Sequence, residues 1–118
     1  MARSRFGTST GRRNKFGAKQ VIINSYRFHS KKEGERYIQL LALSQAGKIT
    51  DLELQPKIPL VVNDKKIGHY VGDFRYTDED GNQILEDVKS KATITPVYRL
   101  KKKILEAYDP PILITEVF

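Results

Sequence analysis

Gly72-Asp73-Phe74-Arg75-Tyr76 and Ile84-Leu85-Glu86-Asp87-Val88-Lys89 place three acids and a lysine on two stretches that read as adjoining β-strands. Strand side chains alternate between faces, so Asp73 points with Val71 and Arg75, Asp87 and Lys89 share one face, and Glu86 takes the other. The link between them, Thr77-Asp78-Glu79-Asp80-Gly81-Asn82, is rich in residues that tolerate positive φ and reads as a hairpin connection. Two closures are open. A loop with an odd number of residues sets Asp73 opposite Asp87 on one face, whereas a two-residue Asp80-Gly81 turn sets them on opposite faces. Like charges directly opposite destabilise a hairpin, so facing carboxylates suggest a shared proton or a cation between them, and a divalent metal with oxygen ligands fits best. The plainer alternatives are an Asp73–Arg75 pair and an exposed Asp87–Lys89 ion pair, worth little energetically. Gly72 would let a ligand or another backbone approach closely.

The elements that must carry these residues can be read along the chain. Residues 20–23 and 26–29 form a short hairpin around Asn24-Ser25. Ser30-Lys31-Lys32-Glu33 has the spacing of a capping box and opens a helix that stops near Gly47. On that helix Tyr37, Ile38, Leu40, Leu41 and Leu43 define an apolar arc centred near Glu33, with Glu35 opposite, so Glu33 is a helix-start cap that could also reach a metal. Residues 50–55 and 58–62 read as strands, the first ended by Pro56 and the second followed by an Asn63-Asp64 turn. Thr95-Pro96 caps a second helix with Val97, Leu100, Ile104, Leu105 and Tyr108 on one stripe, ended by Asp109-Pro110-Pro111. Residues 112–118 are a last strand.

At 118 residues and 39% hydrophobic content the chain buries one core and forms one domain, expected over residues 20–118. The net charge of +7 is uneven: residues 1–19 hold Arg3, Arg5, Arg12, Arg13, Lys15 and Lys19 and no acid. With its Gly, Ser and Thr content this segment reads as a flexible basic arm that gains phosphate contacts with little sequence preference. Lys31-Lys32 and the Lys101-Lys102-Lys103 run would make two positive rims for a phosphate backbone, with Lys101 near the edge of the second helix's apolar stripe and Lys102 and Lys103 outward. Without cysteine there are no disulfides or thiolate metal sites. Apolar runs of only a few residues argue against a signal peptide or membrane span, so an intracellular, soluble protein is expected. His29 and His69 lack zinc-pair spacing. Asp78-x-Asp80-Gly81 fails as a calcium loop because Tyr76 falls at the first ligand position, and no phosphate-binding glycine loop or serine elbow occurs.

Ser30-x-x-Glu33 on a helix, Gly72-Asp73 on a strand and Asp87-Val88-Lys89 on the next resemble the PD-(D/E)XK nuclease superfamily. More closely, residues 28–37, Leu52-x-Leu54-Gln55-Pro56-Lys57, Asp73-Phe74-x-Tyr76 and Glu86-Asp87-Val88-Lys89 are similar to a phage-encoded, Holliday junction resolvase-like branch of it, over roughly residues 14–118. Position 72 is Gly where the superfamily name expects Pro. The resemblance implies an α/β fold of the α+β kind, a restriction-endonuclease-like core with a central mixed β-sheet flanked by two helices, its site where the hairpin meets the first helix. It implies a Mg²⁺- or Mn²⁺-dependent endonuclease acting on DNA, in which Asp73, Asp87 and the Val88 carbonyl hold the metal, Glu33 binds it directly or through water, and Lys89 orients the attacking water. It further implies work in phage DNA processing in the cytoplasm of a bacterial host, with a homodimer as one arrangement. The competing expectations are a DNA-binding module that has lost activity on the same fold, and a structural accessory protein whose acids are only surface pairs.

Overall fold

The computed structural model describes residues 21–118. The basic arm, with Arg12, Arg13 and Lys15, lies outside the described residues. The described residues divide into two compact units, one ending at Glu35 and one of Arg36–Phe118. Helix α1, Lys31–Gln45, begins in the first and continues in the second.

In the first unit β1 (Val21–Ile23) pairs antiparallel with β2 (Tyr26–Phe28). Asn24 and Ser25 close the hairpin with φ of 52° and 69°, the double left-handed turn whose twist matches paired strands. The capping box of α1 forms as its spacing predicts: the Glu33 amide donates to Ser30 Oγ at 3.1 Å and the His29 amide donates to Glu33 Oε1 at 3.0 Å. A side chain at Gly34 would place its Cβ 3.0 Å from Ile23 Cδ1, a contact so tight that Ile23 would have to give way by a few tenths of an ångström. Helix α1 ends with the Lys48 amide on the Leu43 carbonyl and Gly47 at φ +76°, a Schellman closure.

The second unit is built on a mixed four-stranded sheet in the order β3-β6-β7-β8. β3 (Thr50–Leu54), β6 (Phe74–Thr77) and β7 (Gln83–Val88) are antiparallel neighbours, and β8 (Ile114–Val117) lies parallel to β7. The parallel step needs a crossover, which α2 (Pro96–Glu106) supplies. Thr95 caps α2 by accepting the Tyr98 amide at 3.1 Å, with Pro96 in the first turn where no amide is needed. A separate two-stranded ribbon, β4 (Lys57–Val62) and β5 (Lys65–Val71), turns at Asn63-Asp64. The sequence reading has no strand over Lys65–Val71, because its lysines, Gly68 and His69 dilute the apolar alternation; β5 then breaks at Gly72-Asp73 and the chain enters the other sheet.

The two faces of the main sheet bury different things. On one, Phe74 and Tyr76 lie beside Glu86 under α1, where the Tyr37 ring stacks on Phe74 at 6.4 Å and 7°. On the other, Ile58, Leu60 and Tyr70 of the ribbon, Leu85, Ile114, Tyr98 and Leu105 form the core. α2 therefore buries Tyr98 and Leu105, while Val97 and Leu100 are 61% and 60% exposed; the stripe expected around them is turned toward water. Likewise Ile38 and Leu43 of α1 are exposed, and Tyr37 and Leu40 carry its buried row. Among the described residues no helix is long and apolar enough to cross a membrane.

Candidate active site

The β6–β7 register settles the loop question. Phe74 pairs with Glu86 and Thr77 with Gln83, so the next rung beyond Phe74 sets Asp73 opposite Asp87, and the Asp73 amide donates to the Glu86 carbonyl at 3.0 Å. The odd-numbered closure is the one adopted. Asp78 Oδ1 accepts the amides of Asp80 and Asn82, both at 2.9 Å, and Gly81 takes φ +85°, the single left-handed position of a three-residue hairpin loop.

Asp73, Asp87 and Lys89 are brought together. Asp73 Oδ2 accepts the Val88 amide at 2.7 Å, and its carboxylate is within hydrogen-bonding reach of Asp87. Lys89 Nζ lies 3.3 Å from Asp87 Oδ1 and 3.7 Å from the centre of the Tyr98 ring. Asp87 and Lys89 are 6% and 9% exposed, so this is no solvated strand-face pair. The other Asp87 oxygen, Oδ2, accepts the Tyr70 hydroxyl. Burial pushes the Asp87 carboxyl up to about 6; the Tyr70 hydroxyl opposes that, the Asp73 charge adds to it, and Lys89 opposes it. Burial followed by the bond to Asp87 drives the Tyr70 phenol well above its ordinary value, so Tyr70 stays a neutral donor. Tyr98 is raised for the same first reason and then by its bond to Glu116, made at 2.7 Å. The Tyr98 bond in turn is the main influence holding Glu116 below its usual value.

Other predicted residues have different surroundings. Arg75 bonds Glu53 at 2.7 Å across β3–β6 instead of Asp73. Glu86 is 1% exposed and receives Arg36 through Nε at 2.9 Å and Nη2 at 2.7 Å, with the Tyr76 hydroxyl as a third donor. Its role is to join α1 to the sheet, and burial with the bond to Glu86 pushes Tyr76 up to about 12. Glu33 belongs to the first unit, where its carboxylate closes the capping box. Lys31 and Lys32 are exposed near the start of α1. Lys102 is not outward as expected: it bonds Glu116 at 3.2 Å and is half-buried, as is Lys101. The space saved at Gly72 is filled by the protein itself, since a Cβ there would meet Leu85 Cδ1 at 2.9 Å.

Sequence reasoning missed Tyr70 and Tyr98, the two rings that enclose the Asp87–Lys89 pair. A signal existed for Tyr98, a polar-tipped aromatic seven residues before Leu105 and hence on its side of α2. Tyr70 had none, because β5 was not legible as a strand.

A family model matches residues 13–114 of the chain. The chain belongs to the family described as a protein of unknown function, DUF1064. No curated protein and no solved structure matches it. The DUF1064 match takes in Asp73, Asp87, Lys89, Tyr70 and Tyr98 and stops short of Glu116.

Chemically, the site offers two facing carboxylates, one titrating close to neutrality, and an ammonium held in place by an ion pair and an aromatic face. Among the described residues no three His, Asp or Glu side chains converge on one point. Two carboxylates with backbone carbonyls nevertheless suit Mg²⁺, which takes one or two carboxylates and keeps its waters.

Proposed function

We propose that the Asp73–Asp87–Lys89 cluster is the active centre of a metal-dependent endonuclease of the PD-(D/E)XK kind, acting on branched or otherwise structured DNA. The observation that carries this reading is the register that faces Asp73 with Asp87 and buries Lys89 against them. Facing carboxylates, with Asp87 buried, are costly in a structure that does not use them. Asp73, Asp87 and the Val88 carbonyl would hold Mg²⁺ or Mn²⁺. The bound ion would polarise a phosphoryl oxygen and lower the pKa of its water. Asp87 must give up its proton to serve, which it does as pH rises through about 6. Lys89, fixed over the Tyr98 ring, would orient the attacking water and stabilise charge developing on the phosphate. Order of elements also supports the reading: α1, three antiparallel sheet strands with the β4–β5 ribbon inserted after the first, α2, and a last strand parallel to the third.

A DNA-binding module on the same fold is favoured by one observation: Asp87 is already bonded by Tyr70 and paired with Lys89. Labelled four-way junction, matched linear duplex and single strand, incubated with Mg²⁺, Mn²⁺ or chelator, separate the two. Metal-dependent cutting with the junction preferred is expected, in the host cytoplasm as in the tube. Tight binding without cutting on every substrate would leave the non-catalytic module, and neither binding nor cutting would end the nucleic-acid reading. Resolvases of this kind cut as dimers, so junction cleavage should go with a homodimer in sedimentation.

A further inference from the structure

The outer face of the β4–β5 ribbon carries cations that the candidate centre does not use. Lys57 pairs with Val71 and Pro59 with His69, and all four are exposed, while Ile58, Leu60 and Tyr70 between them face the core. The register then slips between Leu60 and Val61, so that Lys66, not Ile67, stands opposite exposed Val61. That shift brings Lys66 onto the row that holds Lys57 and His69. α2 adds a third lysine. Lys101 lies four residues before Leu105 and seven before Tyr108, whose hydroxyl accepts the Val61 amide at 2.7 Å and donates to the Pro59 carbonyl at 3.0 Å. The side of α2 that carries Lys101 is thus the side tied to the β4 edge.

Three cations lie near enough to one imidazole to act on its charge. Lys57, Lys101 and Lys66 act on His69 and hold it below its ordinary pKa, Lys57 foremost. None of the three lysines forms an ion pair with a carboxylate among the described residues, whereas Lys48, Lys89 and Lys102 each have one. Like charges gathered without counter-charges repel, and an anionic partner relieves that repulsion. From the Lys57 rung to the Lys66 rung is four residues of strand, ~13 Å. That matches about four phosphates of one DNA strand at 3.4 Å each. Val71 and Val61 stand opposite Lys57 and Lys66, Pro59 and His69 form the rung between on the same face, and a two-stranded ribbon is a shape that the major groove of B-DNA admits.

We propose that Lys57, Lys66 and His69 on the outer face of the β4–β5 ribbon, with Lys101 of α2 beside the β4 edge, form a docking surface for the phosphodiester backbone of duplex DNA. The surface rests on the nucleic-acid reading above but not on catalysis. It supplies sequence-independent contacts that hold a duplex while the centre acts.

The test is fluorescence anisotropy of labelled duplex with the full chain in chelator, across a salt series. Wild type is compared with Lys57→Gln/Lys66→Gln/Lys101→Gln and with Arg27→Gln/Lys48→Gln/Arg99→Gln, which loses the same charge elsewhere. The ribbon variant should bind at least ~10-fold more weakly at low salt, with a log–log salt slope shallower by about 2 to 3, while the control variant shifts by less than a third of that. In wild type, duplex should also slow acetylation of Lys57, Lys66 and Lys101 read by mass spectrometry. Equal weakening in both variants, or no protection of these lysines, would overturn the surface. So would a ribbon variant that loses binding only to phosphatidylserine–phosphatidylcholine vesicles, since that assigns the face to a membrane. Chelator keeps the outcome separate from catalysis: wild-type cleavage in metal with equal weakening in both variants removes the ribbon alone, and ribbon-dependent binding with no cleavage in metal removes only the nuclease.

Discussion

With its carboxyl held at about 6 against an ordinary 3.8, Asp87 carries a proton more readily folded than unfolded. A raised folded pKa contributes stability that is fully present below pH 3.8 and is lost as pH rises through about 6. The charged form therefore costs the fold about 3 kcal/mol at most at pH 8. Asp87→Asn should be more stable than wild type at pH 8 in chelator and lose that advantage by pH 4, as read by thermal denaturation; a variant less stable at pH 8 would contradict the burial argument. Tyr70→Phe removes the bond that holds Asp87 down, so the Asp87 pKa should climb further above 6 in a carboxyl NMR titration. No change, or a fall, would mean that the hydroxyl does not stabilise the carboxylate. At this scale the sequence showed the Asp87–Lys89 neighbourhood, because period two is a strong constraint. It left Asp73 open, because one residue more or less in the Asp78–Asn82 loop changes its face. Tyr70 and Tyr98 come from elements whose placement depends on long-range packing that local pattern does not encode.

At the scale of elements, two positions have local terms that a single substitution tests. At the start of α1 the capping box uses both Ser30 and Glu33, so Ser30→Ala should cost about 1 kcal/mol of stability. Glu33→Gln should leave thermal stability unchanged, since glutamine can still close the box. Between β5 and β6, Gly72 leaves room for Leu85, and its amide donates to the Pro56 carbonyl at 3.0 Å. Gly72→Ala should cost about 1–3 kcal/mol by denaturant unfolding, as overpacking does. A neutral result would show that Leu85 moves aside freely. Caps, turns and the α2 crossover were legible because their signals are local: Ser30 to Glu33, Asn24-Ser25, Asn63-Asp64 and Thr95-Pro96. The helix faces were less so, since α2 buries Tyr98 and Leu105 through its fit to the ribbon, which apolar spacing alone misplaces.

Across the whole molecule, a mixed sheet buries an acid on each face and uses them differently. Glu86 is bonded three ways and joins α1 to the sheet, while Asp87, on the face toward α2 and the ribbon, meets another carboxylate and an ammonium. If that second face holds a metal, Mg²⁺ or Mn²⁺ should stabilise wild type by mass action, ~2.7 kcal/mol at a hundredfold excess over Kd, and leave an Asp73→Asn/Asp87→Asn variant unmoved. The most direct measurement is cleavage of a labelled four-way junction in Mg²⁺ at pH 8 by wild type and by Asp87→Asn, with folding of both checked by thermal denaturation. Metal-dependent cutting by wild type, reduced at least ~100-fold in a variant that is as well folded or better, is the expected result. Equal cutting by the two proteins, or no cutting by wild type in any metal, would contradict a catalytic Asp73–Asp87–Lys89 centre.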